Sequence, residues 1–290
     1  MGRRAGKHLL LSAMSAGLIL LAGAAMAQTY RERGAYLVNA VAGCGNCHTP
    51  RDSAAQPLAN AELSGGFEFN EPRLGHIIAP NITPDTETGI GGWSLGQIVN
   101  ALRNGKRPDG TVIGPPMPIA FYRDLSDRDA EAIAVYLKGL PPIRRKVGKS
   151  EFVNPLPPGY GPVVAHVDEP DHADKIAYGK YLAGPVAHCM ECHTPRNGPK
   201  LDLDRLGAGG REFPDFGNPG GRVVSRNITP DPESGIGQWS DADVKGAILV
   251  GHRPDGTTLS RTMPSGFYRK MSSDDVNAIV AYLRTLKPLP

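Results

Sequence analysis

The sequence predicts an all-α protein in which one small helical unit is written twice, the copies joined by a proline-rich connector. Three observations predict it. First, NITPDTETGIGGWS at 81–94 recurs as NITPDPESGIGQWS at 227–240, RPDGT at 107–111 recurs at 253–257, and FYR at 121–123 recurs at 267–269, all offset by 146. Second, both copies close on a helix-period apolar stripe: Ile133, Tyr136, Leu137, Leu140 and then Ile279, Tyr282, Leu283, Leu286. Third, no segment alternates in the way a strand would.

The elements follow in order. Residues 31–42 and 174–187 read as opening helices, with Tyr36/Leu37 and Tyr181/Leu182 at matching positions. Ser94 and Ser240 are placed to N-cap mid-unit helices that stop at Gly105 and Gly251. Ser126-x-x-Asp129 and Ser272-x-x-Asp275 read as capping boxes for the closing helices, whose stripes should pack on the opening helices. The expected domains are 28–148 and 172–290. Between them, 149–171 holds Pro155, Pro157, Pro158, Pro162 and Pro170 and reads as a semi-rigid extended linker. With 36 glycines and 27 prolines, much of each unit must be loop. A small loop-rich unit buries too little apolar surface by itself, and a bound planar group would supply the missing core.

Residues 1–27 read as a signal peptide: Arg3, Arg4 and Lys7, an apolar stretch over 9–23, then Ala25-Met26-Ala27 before Gln28. An uncleaved anchor is the alternative. The segment carries three bases and no acid, so the remaining chain has 29 basic and 29 acidic residues. That balance gives no reason to expect nucleic-acid binding.

All four cysteines fall in two boxes, Cys44-Gly45-Asn46-Cys47-His48 and Cys189-Met190-Glu191-Cys192-His193, offset by 145. Each is C-x-x-C-H, the attachment pattern for c-type haem. On a helical turn, both thiols can form thioethers with the porphyrin and the histidine becomes the proximal iron ligand. A disulfide or reactive dithiol does not need the following His-Thr-Pro. A shared zinc site would need the two pairs to converge.

The sixth iron ligand separates a carrier from an enzyme. Beyond the leader, the first unit contains one methionine, Met117, followed by Pro118; the 146 offset leads to Met263, followed by Pro264. Both are expected to ligate, making the irons six-coordinate and relatively oxidising. Met190 lies inside a box and Met271 aligns with Leu125. His76, His166, His172, His188 and His252 have no histidine at the equivalent position of the other copy. Arg51, Arg196, Arg107, Arg253, Trp93 and Trp239 could donate to haem propionates, or be plain solvent-facing and core residues. Asn81 and Asn227 lie in N-x-T sequons inside the repeated loop, where glycosylation is not expected.

Box, NITPD-x-x-x-GIG-x-W-S loop, RPDG turn, Met-Pro step and closing AI-x-x-YL helix together resemble the multihaem cytochrome c subunits of membrane-associated periplasmic dehydrogenases, such as those of alcohol and gluconate dehydrogenases. The resemblance implies two tandem cytochrome c-like domains and two covalently bound haem c groups. Cys44, Cys47, Cys189 and Cys192 would bind the cofactor; His48, Met117, His193 and Met263 would ligate the metal. It also implies a periplasmic dehydrogenase catalytic subunit as electron donor, and quinone, an oxidase or another cytochrome as acceptor. Many members have three haem domains and a C-terminal membrane helix. This sequence has two units and reaches Pro290 without one, so a soluble or peripherally membrane-docked dihaem relay is expected. The alternative is a dihaem enzyme, such as a peroxidase or thiosulfate-oxidising cytochrome; axial ligation discriminates the two.

Overall fold

A computed structural model describes residues 29–290 apart from 199 and 219, so the expected leader lies outside the described residues. Helix α1 (29–36) continues directly into a π-helical turn, Leu37–Val41. Further along come α2 (Gly45–His48), α3 (Leu95–Asn104), α4 (Ile119–Tyr122) and α5 (Asp127–Lys138). The second copy runs α6 (Lys175–Tyr181), a π turn at Leu182–Val186, α7 (Cys189–His193), α8 (Asp241–Leu249), α9 (Ser265–Tyr268) and α10 (Ser273–Arg284). The element order repeats as the sequence does. A π turn widens the helix by one residue and is frequent at functional sites. Both lie just ahead of a cysteine box.

The opening and closing helices of each copy cross at a glycine. A Cβ on Gly34 would stand 1.9 Å from the Ala132 carbonyl oxygen, and one on Gly179 would stand 1.9 Å from that of Ala278. Only a residue without a side chain permits that approach. The stripes meet this crossing as expected: Ile133, Leu137, Ile279, Tyr282 and Leu283 are buried, in one continuous core that also takes Leu37 and Leu182.

The mid-unit N-caps match expectation, while α8 stops at Leu249 with Val250, not Gly251, as its C-cap. Ser94 and Gln97 form a reciprocal capping box, as do Ser240 and Asp243, and Gly105 ends α3 in a left-handed conformation at φ 64°. The closing helices differ. Ser126 and Ser272 each accept from the backbone N–H three residues on, at 3.2 Å. Yet Asp129 and Asp275 do not reach back to the serine N–H. The Ser126 N–H donates to Tyr181 Oη (3.2 Å) and the Ser272 N–H donates to Tyr36 Oη (3.0 Å). Half of each expected box is supplied by the opposite copy.

Two further expectations need correction. Short antiparallel strands exist: β1 (Glu68–Glu71), β2 (Gly75–Ile78) and β3 (Glu151–Phe152) form one sheet, while β4 (Arg196–Asn197) pairs β5 (Lys200–Leu201) and β6 (Glu212–Pro214) pairs β7 (Arg222–Val224). They run two to four residues, too short for alternation to be legible. Nor does 149–171 hang free. It straps the first copy: β3 extends the sheet, a Cβ on Gly114 would touch Phe152 and Leu156, Tyr160 Oη donates to the Ile113 carbonyl (2.8 Å), and Asn104 bonds Val164 through both backbone groups. Prolines kept the segment extended as expected; the apolar residues between them gave it a surface to lie on. No helix among the described residues is long and apolar enough to cross a membrane.

Candidate haem-attachment sites

Each box is a single helical turn. The His48 N–H donates to the Cys44 carbonyl (2.9 Å), and the Cys44 N–H donates back to Val38 in the π turn (3.1 Å). Cysteines three apart on such a turn project from one face. All four thiols are free. Burial pushes Cys44, Cys189 and Cys192 up to about 12 and Cys47 up to about 11. A reactive dithiol has a depressed thiol pKa, and burial moves these thiols the other way. Among the described residues no group of three or more His, Cys, Asp and Glu is placed to hold a metal ion.

The histidines are oriented by backbone. His48 Nδ1 lies 2.9 Å from the Pro80 carbonyl oxygen, and His193 Nδ1 lies 2.6 Å from that of Arg226. A carbonyl can only accept, which assigns the proton to Nδ1 and leaves Nε2 with its lone pair free for a metal. Burial lowers both histidine pKa values and favours this neutral form, the carbonyl bond opposing it in part.

Sequence reasoning missed what holds those carbonyls. Gly65, at φ 76°, approaches so closely that a Cβ would meet the Pro80–Asn81 backbone at 2.5 Å, and its N–H donates to the His48 carbonyl at 2.7 Å. Gly209, at φ 71°, does the same against Arg226–Asn227 and His193. Buried Thr49 and Thr194, the residues after each histidine, accept from the N–H of Leu63 and of Gly207. The signal was present: Gly65-Gly66 and Gly209-Gly210 occupy similar places between box and NITP loop. Asn81 is itself buried, its amide donating to the Ile143 carbonyl (2.8 Å) and its oxygen accepting from the Thr83 N–H. That bonding explains the sequon without glycosylation.

Met117 and Met263 both lie half-buried against the core. The residues after them adopt one conformation, Pro118 at φ −81°, ψ 50° and Pro264 at φ −81°, ψ 44°. Each methionine carbonyl accepts from the N–H two residues on, at 2.8 Å for Ile119 and 2.9 Å for Ser265. The matched sequence positions are thus matched in backbone as well.

The suggested propionate donors divide. Arg107 is spent on its own turn, donating to Thr111 Oγ1 and the Val112 carbonyl, and Arg253 donates to Thr257 Oγ1. Arg51 holds the first box through the Asn46 backbone and side chain and the Ala55 carbonyl, but its buried Nε has no partner. Trp93 and Trp239 pack against the core.

Both boxes border the junction between the copies. A Cβ on Gly43 or Gly45 would meet the Phe267 ring of the second copy at 3.4 or 3.1 Å, and His188 packs edge-on to Tyr122 at 6.0 Å. Glu191, inside the second box, is pushed up to about 7 by burial against the opposing pull of Arg211 and Arg196. Its charge is felt at Cys47 and Tyr122 of the first copy. Two free thiols on one face, an Nε2 lone pair and a half-buried thioether per copy fit covalently attached haem.

Comparison with known proteins bears on that fit. The cytochrome c family model matches residues 176–287. A dihaem c-type cytochrome of Cereibacter sphaeroides is 32% identical over 255 residues, covering 83% of this chain and 81% of its own. The cytochrome c subunit of a quinone alcohol dehydrogenase from Gluconacetobacter polyoxogenes is 30% identical, with 95% of this chain covered. The fructose dehydrogenase cytochrome subunit of Gluconobacter japonicus is 32% identical, with 88% covered. The chain spans 61% and 52% of the length of those last two relatives.

Proposed function

Since the chain belongs to the c-type cytochromes, we propose that it is a periplasmic dihaem electron relay, taking electrons from a partner dehydrogenase and passing them to a respiratory acceptor. On this reading 28–148 and 172–290 are two haem domains. Cys44 and Cys47 would hold one haem c, with His48 and Met117 as the residues that ligate its iron; Cys189 and Cys192 would hold the other, with His193 and Met263. The acceptor is quinone, an oxidase or another cytochrome, and any membrane contact is peripheral.

The observation that carries the proposal is the duplication of a complete donor set on matched backbone. When bound, haem iron supplies one-electron exchange between its ferric and ferrous states. The protein's part is positioning. The Pro80 and Arg226 carbonyls fix the histidine rings and raise the basicity of Nε2. A methionine thioether ligating the iron would exclude water and small molecules from it and raise its potential. Both attachment turns border the junction between the copies, the first beside Phe267 and the second beside His188 and Tyr122. A donor dehydrogenase is supported by the naming of the relatives as dehydrogenase cytochrome subunits.

The test is purification of the native protein with whatever accompanies it. A dehydrogenase catalytic subunit should copurify, and its substrate should reduce both haems. A solitary protein that turns over peroxide would overturn the relay.

A further inference from the structure

We propose that each copy positions the other copy's axial methionine, through one tyrosine hydroxyl acting across the junction. Tyr36 Oη donates to Asp275 Oδ2 at 2.6 Å and accepts from the Ser272 N–H at 3.0 Å. Tyr181 Oη donates to Asp129 Oδ2 at 2.8 Å and accepts from the Ser126 N–H at 3.2 Å. The two latches are equivalent under the repeat, so they form a pseudo-two-fold interface within one chain.

What each latch holds is the corner between the methionine helix and the closing helix. Tyr36 fixes Ser272 and Asp275, and the segment just before them is α9, which begins after Met263-Pro264. Tyr181 fixes Ser126 and Asp129, next to α4, which begins after Met117-Pro118. These short helices also seat on the opposite copy, α9 on the π turn Leu37–Val41 and α4 on the π turn Leu182–Val186. The tyrosines themselves are anchored independently, in helices clamped by the Gly34–Ala132 and Gly179–Ala278 crossings. Loss of a hydroxyl therefore removes the cross-copy bond at that corner, leaving Asp275 held by Tyr178 and Asp129 by Arg33 of their own copies. The Ser272 N–H, which an ordinary capping box would bond to Asp275, then has no partner.

The inference rests on the two-haem reading, and the experiment separates the two. In the reduced holoprotein, each iron-bound methionine gives a methyl proton resonance shifted far upfield by the porphyrin ring current. Met117→Ala and Met263→Ala assign the two signals. Tyr36→Phe should weaken the Met263 signal and raise carbon monoxide affinity at that iron about tenfold, the factor for one lost hydrogen bond to a buried charged group, with the Met117 signal unmoved. Tyr181→Phe should do the converse. Should Tyr36→Phe fail to accumulate, Asp275→Asn weakens the same bond and must weaken the Met263 signal. Unchanged signals, or in the tyrosine variants a loss in the mutated copy's own site or an equal loss in both, would overturn the proposal. Absence of two shifted signals from the unaltered protein would defeat the two-haem reading first, and this inference with it.

Discussion

Gly34 lies against the carbonyl of Ala132 with no room for a methyl group: a Cβ there would fall 1.9 Å from the oxygen. The obstacle is helix backbone, which cannot rotate aside. Gly34→Ala should separate α1 from α5 and cost about 1–3 kcal/mol, as overpacking does. Gly179→Ala should behave alike against Ala278. Urea unfolding midpoints measure both; an unchanged midpoint would mean the crossing is looser than described.

Removing one thiol pair should remove one haem. In Cys44→Ala/Cys47→Ala, intact mass should fall by one haem beyond the side-chain change, while a peptide containing Cys189 and Cys192 keeps its own. Two haems retained, or both lost, would contradict independent attachment.

Taking away a methionine should open its iron. Met117→Ala or Met263→Ala should lower the potential of one centre and let it bind carbon monoxide, because thioether ligation both raises the potential and blocks the site. A redox titration that keeps both original potentials would remove that methionine from the ligand set.

Breaking the Arg33–Asp129 ion pair should be costly. Arg33 grips Asp129 with two bonds of 2.8 Å, and the carboxylate is fully buried. Arg33→Met leaves that charge without its cation, and a broken buried pair costs about 3–5 kcal/mol. Thermal unfolding should show the loss. The second copy puts Tyr178 at the corresponding place, donating to Asp275 at 3.2 Å, so Tyr178→Phe should cost less.

The strap should loosen as pH rises. His166 contacts both Asp127 and Asp168, and these bonds raise its pKa, hydrogen bonding to Asp127 foremost. At Asp127, burial acts upward but is outweighed by its bonds to His166, the Val167 N–H and Arg103, which lower the pKa. A raised histidine pKa means the clasp contributes fully below the unfolded value of about 6.5 and fades as pH climbs through the folded value. Hydrogen exchange of the Val167 amide, which donates to Asp127, should quicken over that window. His166→Ala should abolish the pH step; an identical step in that variant would exclude this histidine as its source.

The closing helices mark where reading the sequence stops. Ser126, Asp129, Ser272 and Asp275 signalled helix starts, and the helices start there. The same residues gave no hint that tyrosines of the opposite copy complete their caps, since a capping box is judged from four neighbouring residues. The connector is a similar case: proline content predicted extension, but nothing local tells a free linker from one seated on Gly114 and Gly105.

The amino-acid order alone determined the duplicated unit, the thiol–histidine boxes and the paired methionines, because covalent spacing along a turn or at a repeat offset is written in the chain itself. Folding in three dimensions decided which carbonyl orients each imidazole, that both boxes border the junction between the copies, and that each half finishes the other's helix ends. Those are contacts between residues far apart in the chain, such as the 239 separating Tyr36 from Asp275. Burial of both partners selects such contacts, and no short-range pattern encodes them.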